Sequence, residues 1–390
     1  MAIVLGKAVT KHYVHIFSKK VLLKESGTGK DYPWRRCYRN GIQQFWRHTF
    51  ISPHVIHGPL SEKLMANREE TGNKGKHLIE LVEYTDPYCT WCWGSEPILR
   101  KIKELYGDQV KITFKMGGLV EDIANFYDPL NLIGGEGMFE QVAAHWEDAS
   151  KKHGMPVDPR VFQDIAKEFR STYPANVAYK AAQMQSQELA DRFLRRMREA
   201  AAAERRALHR REVQIELAGE VGLDVRKFKK ALEDGSAEKA FREELRECRA
   251  LGVTGFPTFY IKNRQGEAVV LNGYRTFESF ERAFKELVGD GLVKRRLEAT
   301  HESILAFIAK YGKVTTKEVA EVFGLTEELS GTMLRTLEVH GKIEGRKAGN
   351  GYFWLLKTEN RITVQGQRFT AMECDTDTMI CHLPSPTIRF

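Results

Sequence analysis

Hydrophobic and polar positions change character several times along the chain. From residue 1 to 76, basic and aromatic residues are scattered, as in RRCYRNGIQQFWRHTF, without a sustained strand or helix period, which predicts a poorly structured basic extension. At HLIELVEYTDPYCTWCWG the pattern sharpens. The apolar run over residues 78–84 predicts a buried strand, Asp86-Pro87 a turn, and Ile98, Ile102 and Leu105 the inner face of a helix reaching Tyr106. After Gly107-Asp108, VKITFKMGGL alternates as a second strand. A strand, helix and strand in that order predict a mostly parallel sheet.

The next stretch, about 135–250, is rich in Ala, Glu, Arg, Lys and Leu, with Pro156, Pro159 and Pro174 near segment starts and Gly154, Gly219 and Gly222 near segment ends. It predicts a helical insert. Its densest part, FLRRMREAAAAERRALHRREVQIELA, is read as a solvated helix face rather than an RNA-binding helix. Strand patterns return at GFPTFYIKN and, past the Gln265-Gly266 turn, at EAVVLNGY, followed by an amphipathic helix over 277–288. Beyond a junction at 289–291, residues 295–357 give three short helices and then two strands around a Gly-rich turn, the pattern of a small winged-helix domain. Residues 358–390 lack a period and predict an irregular tail.

Composition narrows the class. A chain of 390 residues that is 42% hydrophobic can bury an ample core, and its length suggests two or three domains. The net charge of +8, from 60 basic against 52 acidic residues, describes a mixed surface with a modest basic excess. No run approaches the roughly 20 apolar residues that span a bilayer, and MAIVLGKAVTKHYVHIF lacks secretory patterning, so a cytoplasmic protein with no membrane contact is expected. Six cysteines, only two of them as a close pair, do not resemble the disulfide framework of a small secreted domain.

That pair, Cys89-Thr90-Trp91-Cys92, sits where a strand ends and a helix begins. Unpaired backbone N–H groups and the helix dipole favour an anion there, so Cys89 is the expected thiolate nucleophile. A two-residue spacing brings Cys92 back within one turn to resolve a mixed disulfide. The same spacing is half of a zinc site, but no second CxxC follows, and Cys248, Cys374 and Cys381 form no compact cluster, so no metal is expected. Trp91 and Trp93 flank Cys92: Trp91 is expected exposed, as part of an apolar rim for substrate peptide, and Trp93 packed.

Far downstream, Gly255-Phe256-Pro257-Thr258 places a proline directly before a strand, where it cannot donate to the ladder. Together PYCTWCWG and GVTGFPTF resemble the DsbA family, over roughly residues 77–289. The resemblance implies an α/β thioredoxin fold with an inserted helical domain and protein or small-molecule disulfides as substrates. It also implies a cis Phe256–Pro257 bond, with Phe256 and Pro257 beside an extended substrate segment, and no bound cofactor. The family commonly has Pro or His between its cysteines; Thr-Trp here leaves the redox potential open.

Adding the winged helix, the chain resembles a FrnE-like or YjbH-like branch over 77–357. YjbH-type proteins are cytoplasmic adaptors that deliver a transcription regulator to a Clp protease. A thiol–disulfide oxidoreductase and an adaptor with a redox-sensitive cysteine pair therefore stand as separate readings, with protein thiols, disulfides, or a protein docked at the winged helix as partners. A redox-sensing regulator is a third. DNA is not expected as a partner, since the would-be recognition helix over 327–340 begins acidic and offers only Arg335, with Lys342, Arg346 and Lys347 in the wing.

Overall fold

The computed structural model describes residues 77–129 and 131–357, and two short strands beyond them. The expectation for residues 1–76 lies outside the described residues, as does most of that for 358–390.

Strand β1 (Ile79–Thr85) leads through a turn into α1 (Thr90–Tyr106), and β2 (Val110–Met116) returns beside β1 in parallel, from Ile79 opposite Val110 to Thr85 opposite Met116. A small hairpin, β3 (Tyr127–Asp128) with β4 (Ile133–Gly134), precedes the helical insert. The insert comprises α2 (Met138–His153), α3 (Val161–Ile165), α4 (Tyr173–Gln183), α5 (Gln187–Ala202), α6 (Arg211–Glu220), α7 (Val225–Glu233) and α8 (Ser236–Ala250). The chain then rejoins the sheet as β5 (Thr258–Asn263) and β6 (Ala268–Asn272) and closes this part with α9 (Phe277–Val288).

The sheet order is β2-β1-β5-β6. Only β1 and β2 run parallel; β5 is antiparallel to β1, and β6 to β5. The expected mostly parallel sheet is thus a mixed one. The helical insert lets β5 re-enter from the opposite end, and the Gln265-Gly266 turn makes a hairpin that is antiparallel by construction.

The C-terminal module follows: α10 (His301–Tyr311), β7 (Lys313–Thr315), α11 (Thr316–Phe323), α12 (Glu327–Val339), β8 (Ile343–Ala348) and β9 (Gly351–Leu356). The expected three helices and two strands are present, and β7 adds a third strand against β9, in the order β7-β9-β8. Thr315 and Glu318 form a reciprocal capping box at the start of α11, and Thr326 caps α12. In the tail, β10 (Glu373–Cys374) pairs antiparallel with β11 (Cys381–His382), a small element in a segment expected to be irregular.

Two cores hold these parts. Ile304, Phe307, Val314, Leu334 and Trp354 centre the module's own core, while Ala348 and Phe353 of the same module join the large core of sheet and insert. The module is therefore packed into the body formed by the sheet and the insert instead of hanging from it.

The charge-dense stretch expected to be a solvated face is not one on its inner side. Arg198 and Glu199 on α5 are buried, and Arg195 is nearly so, because α5 lies between α1 and the module and its charges pair across that seam.

Candidate functional site at the cysteine pair

The site begins with a carboxylate that fixes the turn. Asp86 is buried just past β1, and its oxygens accept from the backbone N–H of Tyr88 (2.8 Å) and Leu119 (2.7 Å), the Thr172 hydroxyl (2.7 Å) and the Asn176 amide (2.8 Å). Burial pushes its pKa up against these donors. Thr172 and Asn176 belong to the insert, so one side chain ties the cysteine turn to the helices covering it.

Cys89 then caps α1. Its backbone is extended, its N–H donates to the Asp86 carbonyl at 3.0 Å, and its sulfur accepts the Cys92 N–H at 3.2 Å. Cys92 is fully buried. Burial, then its contact with Cys89 and the nearby charge of Glu83, push its thiol well up, with Arg198 pulling the other way. Both cysteines are buried, but the two sulfurs have unlike partners: that of Cys89 accepts a backbone N–H at the helix start, whereas burial holds Cys92 protonated.

Beneath them lies a carboxylate that the sequence analysis did not single out. Glu83 is fully buried on β1; one oxygen accepts from Arg198 (2.9 Å) and Thr85 (2.9 Å), and the other has no hydrogen-bond partner. Burial raises its pKa, against the pull of Arg198. A charged residue inside the apolar run 78–84 was the available signal. Arg198, also fully buried, pairs with Glu96 of α1 at 2.5 Å as well as with Glu83.

Trp93 is packed as expected, its indole N–H donating to the Pro156 carbonyl at 2.9 Å. Trp91 is half-buried and not exposed as expected. Its N–H donates to His145 Nε2 at 3.1 Å, and its ring lies 5.9 Å from each of His153 and Tyr274. The insert supplies the two histidines and the loop after β6 the tyrosine, so an aromatic wall stands around Trp91, between the two cysteines in sequence.

Pro257 closes the site from the other half of the sheet. The Phe256–Pro257 peptide bond is cis. Thr258 stands opposite Tyr84 in the ladder, which sets Pro257 level with Thr85, at the end of β1 that leads to Cys89. The Pro257 carbonyl accepts the Gly273 N–H at 2.7 Å, bringing the Tyr274 loop to the same end of the sheet. Phe256 is partly buried against Val82, Tyr84 and Cys248, and its ring lies so close to Gly117 that a Cβ there would stand 2.1 Å away. The third described cysteine, Cys248, is buried away from the pair, its thiol pushed up to about 12 by burial. No group of three or more His, Cys, Asp or Glu able to hold a metal ion occurs among the described residues.

The Thioredoxin_5 family model, described as thioredoxin, matches residues 83–282, from the buried Glu83 through the cysteine pair and Pro257 to α9. This chain belongs to that thioredoxin family. Within it, the DsbA-like thioredoxin chain is similar to the ClpXP adapter protein SpxH of Halalkalibacterium halodurans, 28% identical over 297 residues, covering 75% of this chain and 93% of that protein. SpxH of Bacillus subtilis is 26% identical over 281 residues, covering 72% and 89%. Among solved structures, the cytosolic disulfide reductase DsbM of Pseudomonas aeruginosa aligns at 26% identity over 50% of this chain and 89% of its own, with a TM-score of 0.40. Wolbachia pipientis alpha-DsbA1 aligns at 15% identity over 60% and 90%, with a TM-score of 0.36. No helix among the described residues of this thioredoxin-family chain is long and apolar enough to cross a membrane.

Proposed function

We propose that this protein is a cytoplasmic thioredoxin-fold adaptor that binds a protein client and presents it to a ClpXP-type protease. The observation that carries this reading is the likeness to SpxH adapters, which covers 93% of one relative and 75% of this chain. We read α10 to β9 as a winged helix serving as a protein-docking unit. Glu327 and Glu328 open α12, which disfavours a phosphate backbone there. The test is capture of the client and its degradation by ClpXP with wild-type protein and with the Cys89→Ser/Cys92→Ser double variant. Capture and degradation that survive in the variant support an adaptor; loss of both with the cysteines removed sinks it.

A second reading, thiol–disulfide exchange, is favoured by the unlike partners of the two sulfurs. Cys89 as thiolate attacks a client disulfide, forming a mixed disulfide and expelling one client thiolate, which takes up a proton. Cys92 then gives its proton to the unpartnered oxygen of Glu83 and attacks the Cys89 sulfur. The pair closes as a disulfide, and the second client sulfur leaves as a thiolate that the proton neutralises. The client is reduced and the pair oxidised; a low-molecular-weight thiol such as glutathione reopens it. Pro257 and the Phe256 backbone border the extended client segment, and Trp91 lines its side. Turnover of a disulfide substrate, lost in Cys89→Ser, is the corresponding test.

A further inference from the structure

The charges buried around the cysteine pair continue beyond the thioredoxin unit. Arg198, paired with Glu83 at 2.9 Å, also meets Glu96 at 2.5 Å. The other Glu96 oxygen lies 3.5 Å from Arg195. Arg195 in turn grips both oxygens of Glu318, at 2.7 Å and 3.1 Å. Glu318 belongs to α11 of the C-terminal module, is wholly buried, and pairs with Arg100 of α1 at 3.0 Å. Carboxylates and guanidinium groups therefore alternate from the module to the floor of the cysteine site.

We propose that Glu318 is a positioning residue for the cysteine pair, acting through Arg195, Glu96 and Arg198 on the guanidinium that holds Glu83. The inference rests on the thiol-exchange reading and deepens it: the C-terminal module becomes an electrostatic part of the redox site, and a protein that docks on the module gains a route to the reactivity of the pair. The reason is local. With little water to reorganise, removal of one buried charge is passed to its neighbours with little screening.

The direction follows from the groups on each packed element. Glu318 faces Arg100 of α1, Arg195 of α5 and Tyr311 at the end of α10. Glu96 faces Arg100, Arg195 and Arg198, with Asp191 near it on α5. Cys92 faces Cys89, Glu83 and Arg198. Arg195 also holds Glu199 of its own helix at 2.8 Å, so it stays paired when Glu318 loses its charge. That loss leaves Arg195 and Arg100 less neutralised, and their positive field adds to that of Arg198 at Glu83 and Cys92, favouring the ionised forms. Gln at 318 keeps an oxygen to accept the Thr315 N–H, which donates at 2.7 Å, so the cap survives; its amide nitrogen replaces the oxygen that accepts from Arg195 and faces Arg100, so Arg195→Gln, which leaves Glu318 its Thr315 and Arg100 partners, is the companion variant.

The test is the pH dependence of closure of the full-length protein's Cys89–glutathione mixed disulfide, followed by release of glutathione. Glu318→Gln is expected to lower the pH midpoint by about half a unit, roughly threefold in proton affinity. Arg198→Met raises the midpoint, and Arg198→Lys restores it in part. Arg195→Gln removes a positive link and raises the midpoint, so it tests the same chain if Glu318→Gln does not fold. A folded Glu318→Gln or Arg195→Gln protein with the wild-type midpoint overturns the inference alone. A wild-type pair that never closes overturns the thiol-exchange reading, and the inference with it.

Discussion

Asn350 and Val157 exchange two hydrogen bonds: the Val157 N–H donates to Asn350 Oδ1 at 2.9 Å, and the Asn350 N–H donates to the Val157 carbonyl at 3.0 Å. They join the turn between β8 and β9 to the loop after α2, one residue beyond Pro156, whose carbonyl receives the Trp93 indole. The module is thereby latched to the segment that supports the cysteine helix.

Breaking this latch costs measurable stability. Asn350→Ala is expected to lose about 1–3 kcal/mol, since it strands a buried backbone donor. Gly349→Ala is expected to lose more, because φ is +51° there and an added Cβ would lie 2.2 Å from the Val157 carbonyl oxygen. Urea unfolding checks both, and limited proteolysis shows whether the module loosens first.

The two tryptophans beside Cys92 are expected to separate binding from stability. Trp93→Ala opens a cavity under α1 and is expected to cost about 3–5 kcal/mol. Trp91→Ala removes part of the wall at the rim, and is expected to weaken client or peptide binding with a smaller loss of stability. Denaturation paired with a binding titration decides it; equal effects of the two changes would rule the division out.

His153 gives stability a pH dependence. The Met155 N–H donates to its Nδ1 at 3.0 Å, so the proton of the neutral ring is on Nε2, toward the Thr90 hydroxyl 3.4 Å away. Burial, with Lys317 nearby, lowers its pKa to about 4, whereas the unfolded chain's histidine keeps a value of about 6.5. Its folded pKa is depressed, so the unfolded chain binds the proton first. The stabilisation is present above the unfolded value and lost as pH falls from about 6.5 to about 4, up to about 3 kcal/mol. Unfolding midpoints at the two ends of this window, in wild type and His153→Gln, check it; the variant is expected to flatten that part of the profile.

Glu83→Gln is expected to slow closure of the Cys89–Cys92 disulfide on the order of 10²-fold, by removing the oxygen that receives the Cys92 proton. Cys92→Ser is expected to trap the mixed disulfide on Cys89, visible as a reductant-sensitive adduct on a non-reducing gel. A closing rate in Glu83→Gln equal to that of wild type would assign the proton to another acceptor.

Much of the frame was legible in advance. The apolar run 78–84, the turn at Asp86-Pro87 and the period of Ile98 and Ile102 are local signals, and β1, the turn and α1 form there. The CxxC and Gly255-Phe256-Pro257-Thr258 motifs, far apart in sequence, stand at one end of the two central strands through the pairing of β1 with β5. The direction of β5 and β6 was misread because strand polarity depends on where the insert returns the chain, which no local period records. The arginines of α5 were misread because a charge on a helix looks solvated until its partners on other elements are known.

By itself the sequence determined the four strands of the main sheet and most of the helices, though not the short strands β3, β4, β7, β10 and β11, and it determined where a helix start meets a cysteine and which proline precedes the returning strand. These follow from side-chain period, turn chemistry and backbone constraint, all set within a few residues. Only the tertiary structure decided that Glu83 and Arg198 meet under Cys92, that two histidines and Tyr274 wall in Trp91, and that Glu318 reaches the site through Arg195 and Glu96. Those relationships join residues up to more than a hundred positions apart, and a buried charge has a definite meaning only once packing has chosen its partner and excluded water.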